Sequence, residues 1–262
     1  MKFIRSFVKH IKKESMSRRE LLTGAGKIAV GAAAGIGIVS AGGLGLLSEA
    51  QAKNTEFPWG YKKIDPARAG KIAYENWYKN FCCYGTTSGI LLPLQQDVGD
   101  PYTRFPLEAM IWGHGGAVGW GTLCGCLTGA GLATSLIAGQ EGELILNEVI
   151  TWYTKTILPI YEPANPIAQI RQKNISGSAL CHISVGKWMA QEGGTFHSPQ
   201  RMERCARLTA DVTIKTVELL NDWSDGKFQP SRRSQVAMYQ MPTENKCRQC
   251  HSGLEPDVPG DI

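Results

Sequence analysis

The chain has 262 residues, of which 28 are Lys or Arg and 23 are Asp or Glu, giving a net charge of +5. The first 52 residues hold eight of the basic and three of the acidic residues, so 20 of each remain beyond them and cancel. A chain without excess basic charge offers no stripe to meet phosphates, which excludes nucleic-acid binding as the expected function. The roughly 210 residues after position 52 suit one domain with a sizeable core.

The N-terminal 52 residues have the organisation of an export signal. Two arginines, Arg18 and Arg19, follow several basic residues and precede an apolar, glycine-rich stretch over 28–47. The small-residue pattern at Ala50 and Ala52 predicts cleavage near Lys53. We therefore expect export by the twin-arginine route into the periplasm, and membrane association only if this segment is retained.

The rest of the chain is predicted to be mostly α-helical. Apolar residues recur at helical spacing over 66–84 and 140–157. The clearest helix covers 199–223, where Ser198 is the expected N-cap and Pro199 the first helical residue. Sustained period-2 alternation is missing, so we expect little sheet. We divide the chain into the signal (1–52), a helical cysteine-motif domain (53–223) and a connector with a C-terminal tail (224–262).

The segment 113–131 is unusually rich in glycine, with eight glycines in nineteen residues. Small residues let a backbone approach either a partner helix or a flat cofactor closely. Tight helix packing alone would explain the composition. Cys124 and Cys126, which lie inside the segment, favour a position next to a cofactor.

The C-terminal tail contains the residues Cys-Arg-Gln-Cys-His at 247–251. Cys247 and Cys250 have the spacing that attaches the two vinyl groups of a c-type haem, and His251 would ligate its iron. A zinc site is the weaker interpretation, because the tail offers no further ligands at matching spacing. A haem this close to the chain end must find its enclosure, and its second axial ligand, elsewhere.

Six more cysteines occur in the exported part of the chain, at positions 82, 83, 124, 126, 181 and 205. They could form up to three disulfides, or four of them could hold an iron–sulfur cluster. The twin-arginine route carries folded proteins and so favours the cluster.

Four histidines remain after the signal, namely His114, His182, His197 and His251. This is the number that gives two haems bis-histidine ligation. Cys181 and His182 occupy a haem-attachment frame in which Ser178 replaces the first cysteine, so a second haem with a single thioether bond is conceivable. Each of these histidines taken alone is also compatible with a structural or surface role.

The order of short motifs around Cys83, Cys124–Cys126, Cys181 and Cys205 resembles the C-GCAxxG-C-C family of redox-associated proteins. Together with the export signal and the haem tail, the chain is similar to the split-Soret cytochromes of that family. The resemblance implies a helical homodimer with clustered haems, bis-histidine iron, an axial ligand that crosses the dimer interface and a cysteine-bound iron–sulfur cluster. The cluster ligands that we predict are Cys83, Cys205, and Cys124 or Cys126, with Cys82 as the alternative to Cys83 and with Cys181 available unless a second haem uses it.

We therefore expect an exported cytochrome that transfers electrons to and from partner proteins through bis-histidine haem, since such iron has no open coordination position. The alternatives are a periplasmic redox enzyme and an electron-transfer subunit that docks on a membrane oxidoreductase. The sequence shows no hydrolase or nucleotide-binding motif.

Overall fold

A computed structural model describes residues 57–231 of the chain. This part is built from α-helices and contains no β-strand, which confirms the mostly helical fold class. The five α-helices are α1 (Pro66–Asp97), α2 (Gly125–Ala138), α3 (Glu141–Lys155), α4 (Cys181–Glu192) and α5 (Pro199–Ser224), and two 3-10 helices span Tyr102–Arg104 and Leu107–Gly113.

Helix α1 is broken in its middle, at Asn80 and Phe81. Phe81 has a φ of 64°, a left-handed conformation that aromatic residues seldom adopt. The segments before and after this break pack against each other, since the Asn76 side chain donates a hydrogen bond of 2.8 Å to Ser88 Oγ. In a straight helix these residues would lie about 18 Å apart. The break therefore turns the chain back just before Cys82.

The largest packing interface joins α1 to α5. Gly85 permits it, because a Cβ there would lie 2.9 Å from both the Ala73 carbonyl oxygen and Thr209 Cγ2. The completely buried aromatic side chains of Trp77, Tyr153 and Trp188 fill the space around these helices. Their apolar burial stabilises the helical body.

The long irregular segment between α3 and α4 is held by buried carboxylates. Asp211 on α5 accepts hydrogen bonds from the backbone N–H groups of Ile160 (2.9 Å) and Tyr161 (2.7 Å). Glu203, about two turns earlier on α5, accepts a hydrogen bond of 3.1 Å from the N–H of Ile167. These bonds satisfy backbone donors that no regular element pairs, and so they fix the path of the chain toward Cys181.

The three helices predicted from periodicity are all present. The helix expected over 66–84 extends to Asp97, the one over 140–157 is α3, and the one over 199–223 is α5. Ser198 caps α5 as predicted and accepts a hydrogen bond from the N–H of Arg201. Within residues 57–231, no helix is long and apolar enough to cross a membrane. The predicted signal and most of the connector and haem tail lie outside the described residues.

Candidate functional site

One cavity of about 350 Å³ gathers cysteines from four helices. Its volume is within the range of cofactor and ligand sites, roughly 300–1,000 Å³. The cysteines that line it are Cys82, Cys124, Cys126, Cys181 and Cys205. Their sequence separation means that no single segment could supply this set, and only the packed helices bring it together.

Three of these cysteines lie where a helix begins. Cys82 is the first helical residue after the break in α1, Cys124 is the N-cap of α2, and Cys181 is the first residue of α4. An isolated antiparallel bridge between Leu123 and Leu180 places the starts of α2 and α4 side by side. Helix N-termini carry partial positive charge and free N–H groups, so their convergence favours negative charge on the thiols.

The thiols of Cys82, Cys124 and Cys126 form the closest group. The Sγ atoms of Cys124 and Cys126 lie 3.7 Å apart, and Cys126 Sγ lies 3.3 Å from Thr209 Oγ1. Gly125, between them, has no Cβ, and a Cβ there would lie 2.5 Å from Cys82 Sγ. This glycine is therefore what lets Cys82 approach the other two.

The three thiols of this group differ in the direction in which their pKa values shift. The hydrogen bond with Cys126 outweighs burial and lowers the pKa of the Cys124 thiol, and Tyr153 and Arg204 lower it further. The same partner lowers the pKa of Cys82. The pKa of Cys126 rises well above its usual value, mainly because of its side-chain contacts with Cys124 and Cys82. Thiols whose pKa is lowered are favourable ligands for soft metal ions, which bind the thiolate form.

Cys83 lies outside the cavity wall, although we predicted it as a cluster ligand. Its side chain packs against Gly113, where a Cβ would lie 2.6 Å from Cys83 Sγ. Burial, the main cause, raises the pKa of this thiol to about 12. Cys82, which the sequence analysis gave as the alternative to Cys83, lines the cavity. The other predicted ligands, Cys124, Cys126 and Cys205, line the cavity together with Cys181.

The three described histidines divide between two places. His114 and His197 line the cysteine cavity and lie against aromatic rings, Phe81 and Phe196 respectively, each at 5.3 Å between centroids. His182 lines a separate, open groove of about 800 Å³ on the surface of α4, with Lys173 and Lys187 among its neighbours. The predicted haem residues Cys247, Cys250 and His251 lie outside the described residues.

Arg204 is a residue of this site that the sequence analysis did not identify. Its side chain lines the cavity and is only 1% exposed. Its Nη2 atom donates to Ser184 Oγ at 2.8 Å, and its Nη1 atom lies 4.0 Å from Cys205 Sγ. In the sequence Arg204 follows Glu203 and lies three residues from both Arg201 and Arg207, so nothing separates it from a surface arginine.

The donor set fits an iron–sulfur centre. Such a centre needs four thiolates, and the cavity offers five. Among residues 57–231, no three His, Cys, Asp or Glu side chains are already arranged around one point as metal ligands. The thiols would therefore have to turn toward a shared centre, and the open volume between them leaves room for this rotation.

Comparisons with known proteins agree with this chemistry. The family described as "Putative redox-active protein (C_GCAxxG_C_C)" matches residues 75–219. The chain is 34% identical to "Split-Soret cytochrome c" of Desulfovibrio desulfuricans over 248 residues, which cover 90% of this chain and 88% of the relative. A solved structure titled "A novel iron centre in the split-Soret cytochrome c from Desulfovibrio desulfuricans ATCC 27774" matches with a TM-score of 0.63 and 35% identity. It covers 76% of this chain and 84% of the other.

Proposed function

Because the chain belongs to the C_GCAxxG_C_C family and to the split-Soret cytochromes c within it, we propose that this electron-transfer redox protein works with two kinds of centre. The first is c-type haem on Cys247, Cys250 and His251. The second is an iron–sulfur centre in the cysteine cavity. The convergence of five thiols from four helices is the observation that carries the second part of the proposal.

The four ligands that we assign to the iron–sulfur centre are Cys82, Cys124, Cys126 and Cys205. The first three already form one hydrogen-bonded group, and Cys205 faces the same cavity from α5. Cys181 is the fifth thiol of the wall and remains available to a second haem beside His182. When bound, the centre would supply a one-electron redox couple in addition to the haem.

Haem needs a second axial ligand if its iron is to be closed to substrates. His114, His182 and His197 are the histidines of the described part that could supply it, and all three are exposed or half-buried. Bis-histidine iron favours electron transfer over catalysis. Carbon monoxide should therefore leave the spectrum of the reduced protein unchanged, whereas a shifted Soret band would indicate the alternative, a redox enzyme.

The glycine-rich segment supports a homodimer. Val118 (59%) and Trp120 (82%) in this segment, and Trp112 (51%) immediately before it, have exposed side chains. Exposed apolar side chains that form a patch are typical of an interaction site. We propose that a second copy of the chain covers it, that partner proteins exchange electrons with the dimer, and that the twin-arginine signal delivers the protein to the periplasm.

A matched pair of variants tests the iron–sulfur assignment. Cys82→Ser and Cys83→Ser change neighbouring thiols, of which only the first lines the cavity. In full-length protein we expect Cys82→Ser to lose non-haem iron and acid-labile sulfide, and Cys83→Ser to retain both. Haem content should be unchanged in the two variants. Equal loss in both, or a wild-type protein without labile sulfide, would refute the assignment.

A further inference from the structure

The buried guanidinium of Arg204 is not paired directly with any carboxylate of the described residues. Among the described residues, none of the ion pairs involves Arg204, and its Nε atom has no hydrogen-bond partner. Arg207, one turn further along α5, is also buried but pairs with Glu203 at 2.7 Å and with Glu162. Both arginine side chains are thus buried, but only Arg207 is paired with carboxylates.

An arginine cannot lose its proton inside a protein, so its burial requires a negative partner. The groups that interact most strongly with Arg204 are Ser184, Tyr153 and the thiols of Cys205 and Cys124. Ser184 and Tyr153 contribute hydroxyl groups that are hydrogen-bonded to each other at 2.7 Å. The carboxylate of Asp211 also attracts Arg204, but it forms no ion pair with it and accepts the N–H groups of Ile160 and Tyr161 instead. We therefore assign the direct counter-charge of Arg204 to the thiol groups of the cavity wall and the group that they hold.

The geometry points to Arg204 as the counter-charge of the thiolate-bound iron centre, where it favours the reduced state. This inference rests on the proposed function. A centre held by four thiolates is anionic, and taking one electron from a ferrous haem adds one negative charge while the haem iron becomes ferric. Arg204, at the cavity wall, stabilises this added charge more than it stabilises the oxidised state, which raises the reduction potential.

Ser184 fixes the position of this charge. Its Oγ atom accepts the Nη2 bond from Arg204 at 2.8 Å, and Tyr153 donates to the same oxygen at 2.7 Å. Ser184 of α4 therefore holds the Nη2 side of the guanidinium, while its Nη1 atom lies 4.0 Å from Cys205 Sγ. Arg204 is thus a positioning residue, which acts on the reduced centre through its fixed positive charge.

The test is a redox titration of the full-length holoprotein, in which electron paramagnetic resonance follows the non-haem centre and absorption follows the haem. Arg204→Gln removes the charge, and Arg204→Lys keeps it. The control is Arg68→Gln, because Arg68 is an exposed arginine of α1 that pairs with Asp97 and does not line the cavity.

We expect Arg204→Gln to lower the potential of the centre relative to the haem by at least a tenfold change in the reduced-to-oxidised ratio, or about 59 mV for one electron. Arg204→Lys and Arg68→Gln should stay near wild type. Arg204→Gln could prevent the centre from assembling. In that case, a centre that still assembles in Arg204→Lys supports the role of the charge, and a centre that is lost in both variants overturns that role. An unchanged potential in Arg204→Gln overturns this inference alone, whereas a wild-type protein without the centre overturns the proposed function and this inference with it.

Discussion

Gly125 is the position at which the structure makes its sharpest statement about packing around the cysteines. A Cβ at this residue would lie 2.5 Å from Cys82 Sγ and 3.2 Å from the Cys83 amide nitrogen, and nearer still to the Gly113 carbonyl oxygen. Two of these three neighbours are backbone atoms, which cannot turn aside as a side chain can. Gly125→Ala must therefore displace either the second segment of α1 or the glycine-rich segment.

The cost of this displacement can be compared with a matched control. Overpacking a tightly packed core typically costs about 1–3 kcal/mol. Gly186, inside α4, has no atom within 4 Å of an added Cβ. Gly186→Ala should therefore stabilise the protein by roughly 0.5–1 kcal/mol, because alanine is the better helix former. We expect the two variants to differ by roughly 1.5–4 kcal/mol in the free energy of unfolding.

Urea unfolding followed by circular dichroism would measure this difference. The slope of the transition should remain equal in the two variants while its midpoint moves in opposite directions from wild type. The reasoning about Gly125 would be refuted if Gly125→Ala unfolded at the same urea concentration as Gly186→Ala. Such a result would mean that the contacts of Cys82 with α2 relax without cost.

Three further predictions concern the helical body. Burial raises the pKa of Glu203, but hydrogen bonds from Arg207 and two tyrosines lower it overall. The stability that this carboxylate contributes is therefore present above the unfolded pKa of about 4.3 and is lost as the pH falls below it. Glu203→Gln should lower the free energy of unfolding by roughly 3 kcal/mol at pH 7 and by progressively less toward pH 3, as measured by urea unfolding. A difference from wild type that stays constant across this range would contradict the role of the hydrogen bonds to Glu203. Ser198→Ala removes the cap of α5 and should cost about 1 kcal/mol in the same assay, and a cost of zero would mean that the cap adds nothing. Leu127→Ala, at a completely buried position of α2, should lower the free energy of unfolding by about 2–5 kcal/mol; a loss below 1 kcal/mol would contradict the close packing around α2.

The sequence predicts those helices that carry their own boundary signals. Helix α5 follows from Ser198, Pro199 and a regular apolar face. Helices α2 and α4 were not predicted, because their N-caps, Cys124 and Leu180, make no side-chain capping bond. Their starts are fixed by the bridge between neighbouring loops, which is a tertiary contact without a local pattern.

The candidate site shows the same limit. The sequence shows which cysteines are available. Which of Cys82 and Cys83 faces the cavity depends on the break at Phe81, and an aromatic residue gives no sequence signal for such a left-handed conformation. The role of Arg204 depends on burial and on missing partners, and both are properties of the folded protein alone.

The four-helix origin of the cavity wall has a consequence for folding. A group bound jointly by Cys82 and Cys205 would tie together chain positions that are about 120 residues apart, much as a long-range disulfide does. Such a cross-link reduces the entropy of the unfolded chain, and a ligand that binds only the folded form adds stability by mass action. Iron supply would then govern how long the protein survives as well as whether it can accept an electron.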